Sequence, residues 1–206
     1  MNSIQKLTEY FSDFPGIGPR QARRFVYHLL TRNPEYLQQL SRMIVDLKRD
    51  IRICSSCFRF FQDQHTPATL CDICCSPSRD RSILMIVSRD VDLENIEKTR
   101  SFSGLYFVLG GAVPILEKNP ETRIRQRELL SMYETRAQSG ELKEVIMALN
   151  ATAEGENTID YLENLLKPQA LEHSIKISHL GRGISTGTEL EYSDSDTIKN
   201  ALNNRK

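Results

Sequence analysis

The sequence predicts an α+β chain in several parts: N-terminal helices, a four-cysteine metal module, an α/β domain on a central, mainly parallel sheet, and a C-terminal tail helix. Three observations carry that reading. Apolar residues recur at helical spacing along 1–53. Two C-x-x-C pairs, Cys54 with Cys57 and Cys71 with Cys74, follow at the separation one tetrahedral metal needs. From residue 82 onward, short continuous apolar runs alternate with helical stretches.

Length and composition set the bounds. At 206 residues, with 39% hydrophobic and 26% charged residues, the chain can fill one good core or two small ones and has an ordinary globular make-up. No run approaches the apolar length of a membrane span, and 1–11 is polar and amphipathic, without a signal-peptide core. A cytoplasmic protein is the expectation, and in that compartment paired cysteines bind metal more often than they form disulfides. The zero net charge hides an asymmetry. Residues 1–53 carry nine Lys/Arg against five Asp/Glu, 54–81 carry three of each, and 82–206 carry fifteen against nineteen. A nucleic-acid partner would therefore bring its phosphates to the N-terminal third.

Ile4, Leu7, Tyr10 and Phe11 fall at helical spacing and predict a helix ending at Ser12. In Phe14-Pro15-Gly16-Ile17-Gly18-Pro19-Arg20, two glycines flank one apolar residue, which predicts a tight turn that a side chain would block. Pro19 suits the first position of the next helix. Ala22, Phe25, Val26, Leu29 and Leu30 form its buried stripe, while Arg20, Arg24 and His28 share another face with Arg23 beside them. The stretch matches the pattern hPGhGxxxA and resembles a helix-hairpin-helix DNA-binding motif. Its backbone N–H groups and the positive end of its second helix would hold a phosphate, with arginines on the neighbouring ones. The candidate DNA-binding residues are Gly16, Gly18, Arg20, Arg23 and Arg24. The competing reading is a glycine turn between core helices with a solvated arginine face. A third helix over 34–49 is expected to turn Leu37, Leu40, Ile44 and Leu47 inward and close a small helical core.

The cysteine module is read as a structural metal site. Each C-x-x-C pair makes a knuckle, and the thirteen residues between the pairs let the knuckles face each other. Four soft thiolates select Zn²⁺, one per chain, and leave no open position for chemistry. His65 in the spacer and Cys75 beside Cys74 are alternative ligands. The two regular pairs favour Cys54, Cys57, Cys71 and Cys74, with Cys75 a spare thiol packed against the knuckle. The module would sit at the joint between the helical part and the sheet.

Strands are expected at 82–87, 105–109, 144–149 and 175–180, the first a continuous apolar run of the kind found in buried parallel sheets. Helices are expected at 90–98, 121–138 and 158–166, the last stopped by Pro168, with 150–156 as a loop. A final helix over 193–201 would be capped by Asp194 or Ser195 and anchored by Ile198 and Leu202. Ligands of such a sheet lie beyond the carboxyl ends of its strands, here Ser88, Gly110 and Gly111, 150–156 and 181–187.

FPGIGPRQARR (14–24), the cysteine quartet, CSPSRDRS (75–82), GLYFVLGG (104–111), NATAEGE (150–156) and HLGRGISTGTELEY (179–192) stand in one order along the chain. Over essentially its whole length the chain resembles the RecR family of bacterial recombination mediators. The resemblance implies four regions: helix-hairpin-helix at 1–53, zinc module at 54–78, a Toprim α/β domain at 79–178, and a Walker B-like segment with its helix at 179–206. It also implies a homo-oligomeric ring on single- or double-stranded, gapped DNA. That ring would act with RecO and RecF to load recombinase.

Catalytic Toprim domains gather a Glu and a D-x-D around Mg²⁺. Here the first-strand position is Ser88, Asp90 and Asp92 lie in the next helix, and the third-strand loop offers Asn150, Glu154 and Glu156. The expectation is therefore no catalysis, with Glu154 and Glu156 left as a weak Mg²⁺ or partner-binding pair. The alternative is a Mg²⁺-dependent nuclease or topoisomerase-like enzyme using Glu154, Glu156 and Asp90. The glycine-rich 181–187 lacks the order and lysine of a P-loop and is not read as one.

Overall fold

Residues 1–62 and 69–205 are described by the computed structural model of the chain, which divides into two units, Met1–Arg52 and Ile53–Lys206. In the first, α1 (Ser3–Ser12) begins at a reciprocal cap: Asn2 Oδ1 accepts from Gln5 N at 2.9 Å, and Gln5 Oε1 accepts from Asn2 N at 3.0 Å. It pairs with α2 (Pro19–Leu30), on which Ala22 and Val26 are buried, and Phe11 meets Phe25 edge to face at 5.8 Å. α3 (Pro34–Asp50) is capped by Asn33 Oδ1, which accepts from Tyr36 N at 2.8 Å.

The inward turn expected of α3 does not occur. No residue of the helix is buried, and Met43 (62% exposed), Ile44 (58%), Val45 (73%) and Leu47 (57%) stand in solvent with Leu37. A helical stripe tells that a face seeks cover, without naming what covers it.

The second unit holds most of the core. β1 (Ile51–Ile53) lies at the boundary between the units, and β2 (Phe60–Gln62) and the one-turn α4 (Asp72–Cys75) follow. Then come β3 (Asp80–Val87), α5 (Asp90–Thr99), β4 (Gly104–Val108), α6 (Gln126–Gln138), β5 (Glu144–Ala148), α7 (Ala153–Glu172), β6 (Lys176–His179) and α8 (Ser195–Asn203). Four strands make a fully parallel sheet in the order β4-β3-β5-β6, with Leu84 level with Leu105 and Val145. Alternation splits the strands between two cores. Leu84, Ile86, Phe107, Val145 and Met147 pack with Leu129 and Tyr133 of α6 and Leu162 and Leu166 of α7. Met85, Val87, Tyr106, Val108 and Ala148 face the other way, against Leu93 of α5 and the four knuckle cysteines.

Three boundaries differ from expectation, each for a local reason. α7 runs through Pro168 because the ring and Asn164, the residue whose carbonyl it deprives of a donor, are both exposed to water. Around it, Leu166 and Ala170 are buried, and that packing offsets the lost bond. The same helix starts earlier, at Ala153, so Glu154 and Glu156 lie in its first turn rather than in a loop. Thr152 Oγ1 caps it by accepting from Gly155 N at 3.2 Å. Finally, 121–125 is a 3₁₀ turn and a bend ahead of α6, from which Arg125 reaches the carbonyls of Phe58 (2.7 Å) and Val108 (3.0 Å). In the tail, Asp194 caps α8, accepting from Asp196 N (3.0 Å) and Thr197 N (2.9 Å), but Leu202, expected as an anchor, is exposed. Val91 of α5 is likewise exposed.

Candidate nucleic-acid interface and metal centre

The turn between α1 and α2 closes through Ile17 N donating to Phe14 O at 3.0 Å, with Gly16 at φ +76°, a left-handed backbone that favours glycine. Gly18 differs from expectation. It is the N-cap of α2 in extended conformation (φ −81°, ψ 166°), and a Cβ added there would meet no atom within 4 Å. The chain's own packing does not demand a glycine at 18. No hydrogen bond engages the N–H of Gly16 or Gly18 among the described residues, so both donors are open to a partner.

Beside this turn, Arg20, Arg23 and Arg24 are exposed and, with Pro19 and Tyr27, line a concavity of about 450 Å³. None of the three arginines forms an ion pair among the described residues; Arg24 Nη1 donates to Gln21 Oε1 at 3.3 Å. His28 lies beyond the concavity, and its Nε2 accepts from Arg32 Nε at 3.1 Å. Tyr27 escaped the sequence reading. Its signal was its position, three and four residues after Arg24 and Arg23 on one helix face.

The four cysteines converge. Cys54, Cys57, Cys71 and Cys74 are buried and unbridged, and their sulfurs all lie within 4.8 Å of one another, with Cys57 and Cys71 at 3.6 Å. Sulfurs around one tetrahedral Zn²⁺ stand about 3.8 Å apart. Among the described residues this is the one convergent group of three or more His, Cys, Asp or Glu side chains. The residues are therefore positioned to bind a metal ion. Their electrostatics ask for one: the Cys54 sulfur pushes the Cys57 thiol far above its ordinary value, while Cys54 itself is driven down by its hydrogen bond from Cys57. A divalent cation relieves that conflict, since every thiol can then ionise.

Local hydrogen bonds shape the knuckles, with Phe58 N on Cys54 O (3.0 Å), Cys75 N on Cys71 O (3.0 Å) and Cys71 N on Cys54 Sγ (3.3 Å). Further bonds tie the module to the sheet. Val108 N donates to Cys57 O at 2.8 Å, Arg125 to Phe58 O, and Phe60 N to Asp90 Oδ1 at 2.7 Å. Cys75 is exposed rather than packed against the knuckle. His65 lies outside the described residues.

At the strand ends the acids are occupied or scattered. Ser88 is buried (4% exposed), Asp90 accepts from Phe60 N, and Asp92 Oδ2 caps α5 by accepting from Arg89 N at 3.0 Å. Glu156 is paired with Arg182, tying the start of α7 to the tail, and Asn204 Nδ2 donates to the Arg182 carbonyl at 2.7 Å. Glu154 is exposed.

A parallel-sheet domain following a glycine hairpin with bare arginines belongs to the helix-hairpin-helix class of DNA-binding proteins, and family comparisons agree. Residues 4–48 match the RecR helix-hairpin-helix region, 82–181 the Toprim domain and 183–206 the RecR C-terminal region. The chain is 36% identical over 203 residues to recombination protein RecR of Acidothermus cellulolyticus, covering 98% of this chain and 96% of that one. It is 37% identical over 204 residues to the Nocardioides sp. protein of the same name, and 35% over 202 to that of Lactococcus lactis subsp. cremoris, each with 98% and 96% coverage. The chain belongs to the RecR family. No described helix is long and apolar enough to cross a membrane.

Proposed function

We propose that this protein is a non-catalytic, DNA-binding recombination mediator that acts as a homo-oligomeric ring with RecO and RecF at single-stranded gaps. The observation carrying this is the pairing of open Gly16 and Gly18 N–H groups with a neighbouring concavity lined by Arg20, Arg23 and Arg24, which form no ion pair among the described residues. Bare donors and cations at a helix N-terminus suit phosphates, and the open space over Gly18 suits their close approach. One such hairpin binds weakly, so a ring would supply avidity. The uncovered apolar face of α3 supports self-association, because contiguous exposed apolar stripes mark interfaces.

In this reading 1–53 meets DNA, 54–78 carries one structural Zn²⁺ on Cys54, Cys57, Cys71 and Cys74, 79–178 is the Toprim domain, and 179–206 serves subunit contacts. Glu156 holds the tail through Arg182, and exposed Glu154 faces a partner. The dispersal of Asp90, Asp92, Glu154 and Glu156 over separate tasks supports a scaffold rather than a Mg²⁺ enzyme. Action on DNA implies a cytoplasmic, nucleoid-associated place. Binding isotherms over a salt series test the hairpin. Arg20→Ala with Arg24→Ala is expected to weaken DNA binding and lower the salt slope by about one to two. An unchanged affinity would sink the assignment.

A further inference from the structure

We infer that Tyr27 is a base-stacking platform, and that the arginine concavity it walls takes unpaired nucleotides in preference to duplex. This rests on the hairpin being the DNA contact, as proposed above, and adds the form of DNA it selects. Tyr27 is 54% exposed on α2, outside the helix's buried stripe of Ala22 and Val26. Its ring meets no other aromatic ring and its hydroxyl makes no hydrogen bond among the described residues. It walls the concavity of Arg20, Arg23 and Arg24, and also lines a second one with Gln21, Arg24 and His28.

Phosphate contacts alone give single strands no advantage, because duplex presents the denser backbone charge. A bare aromatic face gives them one. Stacked, paired bases have no free π-surface for it, whereas an unpaired base set down by its phosphate on Arg20 or Arg24 can cover the ring. Arg23 and Arg24 sit one helical turn before Tyr27 and Arg20 two turns before it, so phosphate and base reach the same face together. A stacked base contributes about 5- to 100-fold in affinity.

Fluorescence anisotropy with a labelled oligo-dT strand, and with a labelled duplex of equal length, tests this. Tyr27→Ala is expected to lose about 5- to 100-fold on the single strand and to leave duplex affinity within about twofold, with Tyr27→Phe close to wild type on both. The chain contains no Trp, so Tyr27→Trp installs a lone indole whose emission should be quenched by oligo-dT and not by duplex. An equal loss on both DNAs, no loss on either, or an unquenched indole overturns the inference. Arg20→Ala with Arg24→Ala is run alongside. If it weakens both DNAs while Tyr27→Ala weakens neither, stacking alone fails; if it too leaves affinity unchanged, the hairpin reading fails with it.

Discussion

Gly155 sits where the start of α7 folds back over 150–152. A Cβ added there would lie 1.8 Å from the Asn150 carbonyl oxygen, and backbone cannot swing aside as a side chain can. Gly155→Ala is therefore expected to cost at least about 1–3 kcal/mol, read as a lower urea midpoint with unchanged m-value. Arg79 is a second residue with no spare freedom. It forks onto Glu97, whose Oε1 also accepts from Tyr106 Oη at 2.7 Å, and reaches the carbonyls of Phe102 (3.3 Å) and Gly104 (3.4 Å). Removing the guanidinium leaves a half-buried carboxylate without its cation and takes one donor from each of two carbonyls. Arg79→Ala should destabilise by about 2–3 kcal/mol, less than for a fully buried pair because both partners keep some solvent. Thermal unfolding of the single mutant, and of its double with Glu97→Gln, checks this: the second change should cost little once the first is made.

α7 carries a helix-breaking residue at a place where water tolerates it. Substituting Pro168→Ala restores a donor to the exposed Asn164 carbonyl and should raise stability by about 1–3 kcal/mol, measured as a shift in chemical-denaturation midpoint. A fall in stability would mean that the ring itself packs usefully. α3 poses the opposite case, a regular, well-capped helix with no core to enter. If its stripe is covered by another copy of the chain, Ile44→Lys with Leu47→Lys should lower the mass seen by light scattering while leaving the helical signal in place. An unaltered mass would show that α3 is not a contact between copies.

The metal module is joined to the sheet by backbone and side-chain bonds at Cys57, Phe58 and Phe60, and its cysteines share a core with Tyr106 and Val108. Its loss should therefore spread. Chelation, or Cys57→Ser, is expected to remove one equivalent of metal per chain, lower the melting temperature and reduce the oligomer mass together. Elemental analysis alongside light scattering is the check, and a DNA-binding defect with metal and mass intact would refute this structural role.

Pattern in the chain was enough for the elements whose reason is local. The β3 run, the knuckle spacing, the turn glycine Gly16 and the arginine row each encode their own geometry, so strand type, the converging cysteines and candidate phosphate contacts could be read from residue order. Burial partners could not. Whether Leu47 faces a core, whether Pro168 faces water, and whether Glu156 is free or held by Arg182 depend on residues far off in sequence, and periodicity carries no address for the far side of a contact. Tyr27 belongs to that second group. Its place in α2 followed from spacing, but its bare ring among unpaired arginines emerged only once the helices had packed, because exposure is what folding leaves over.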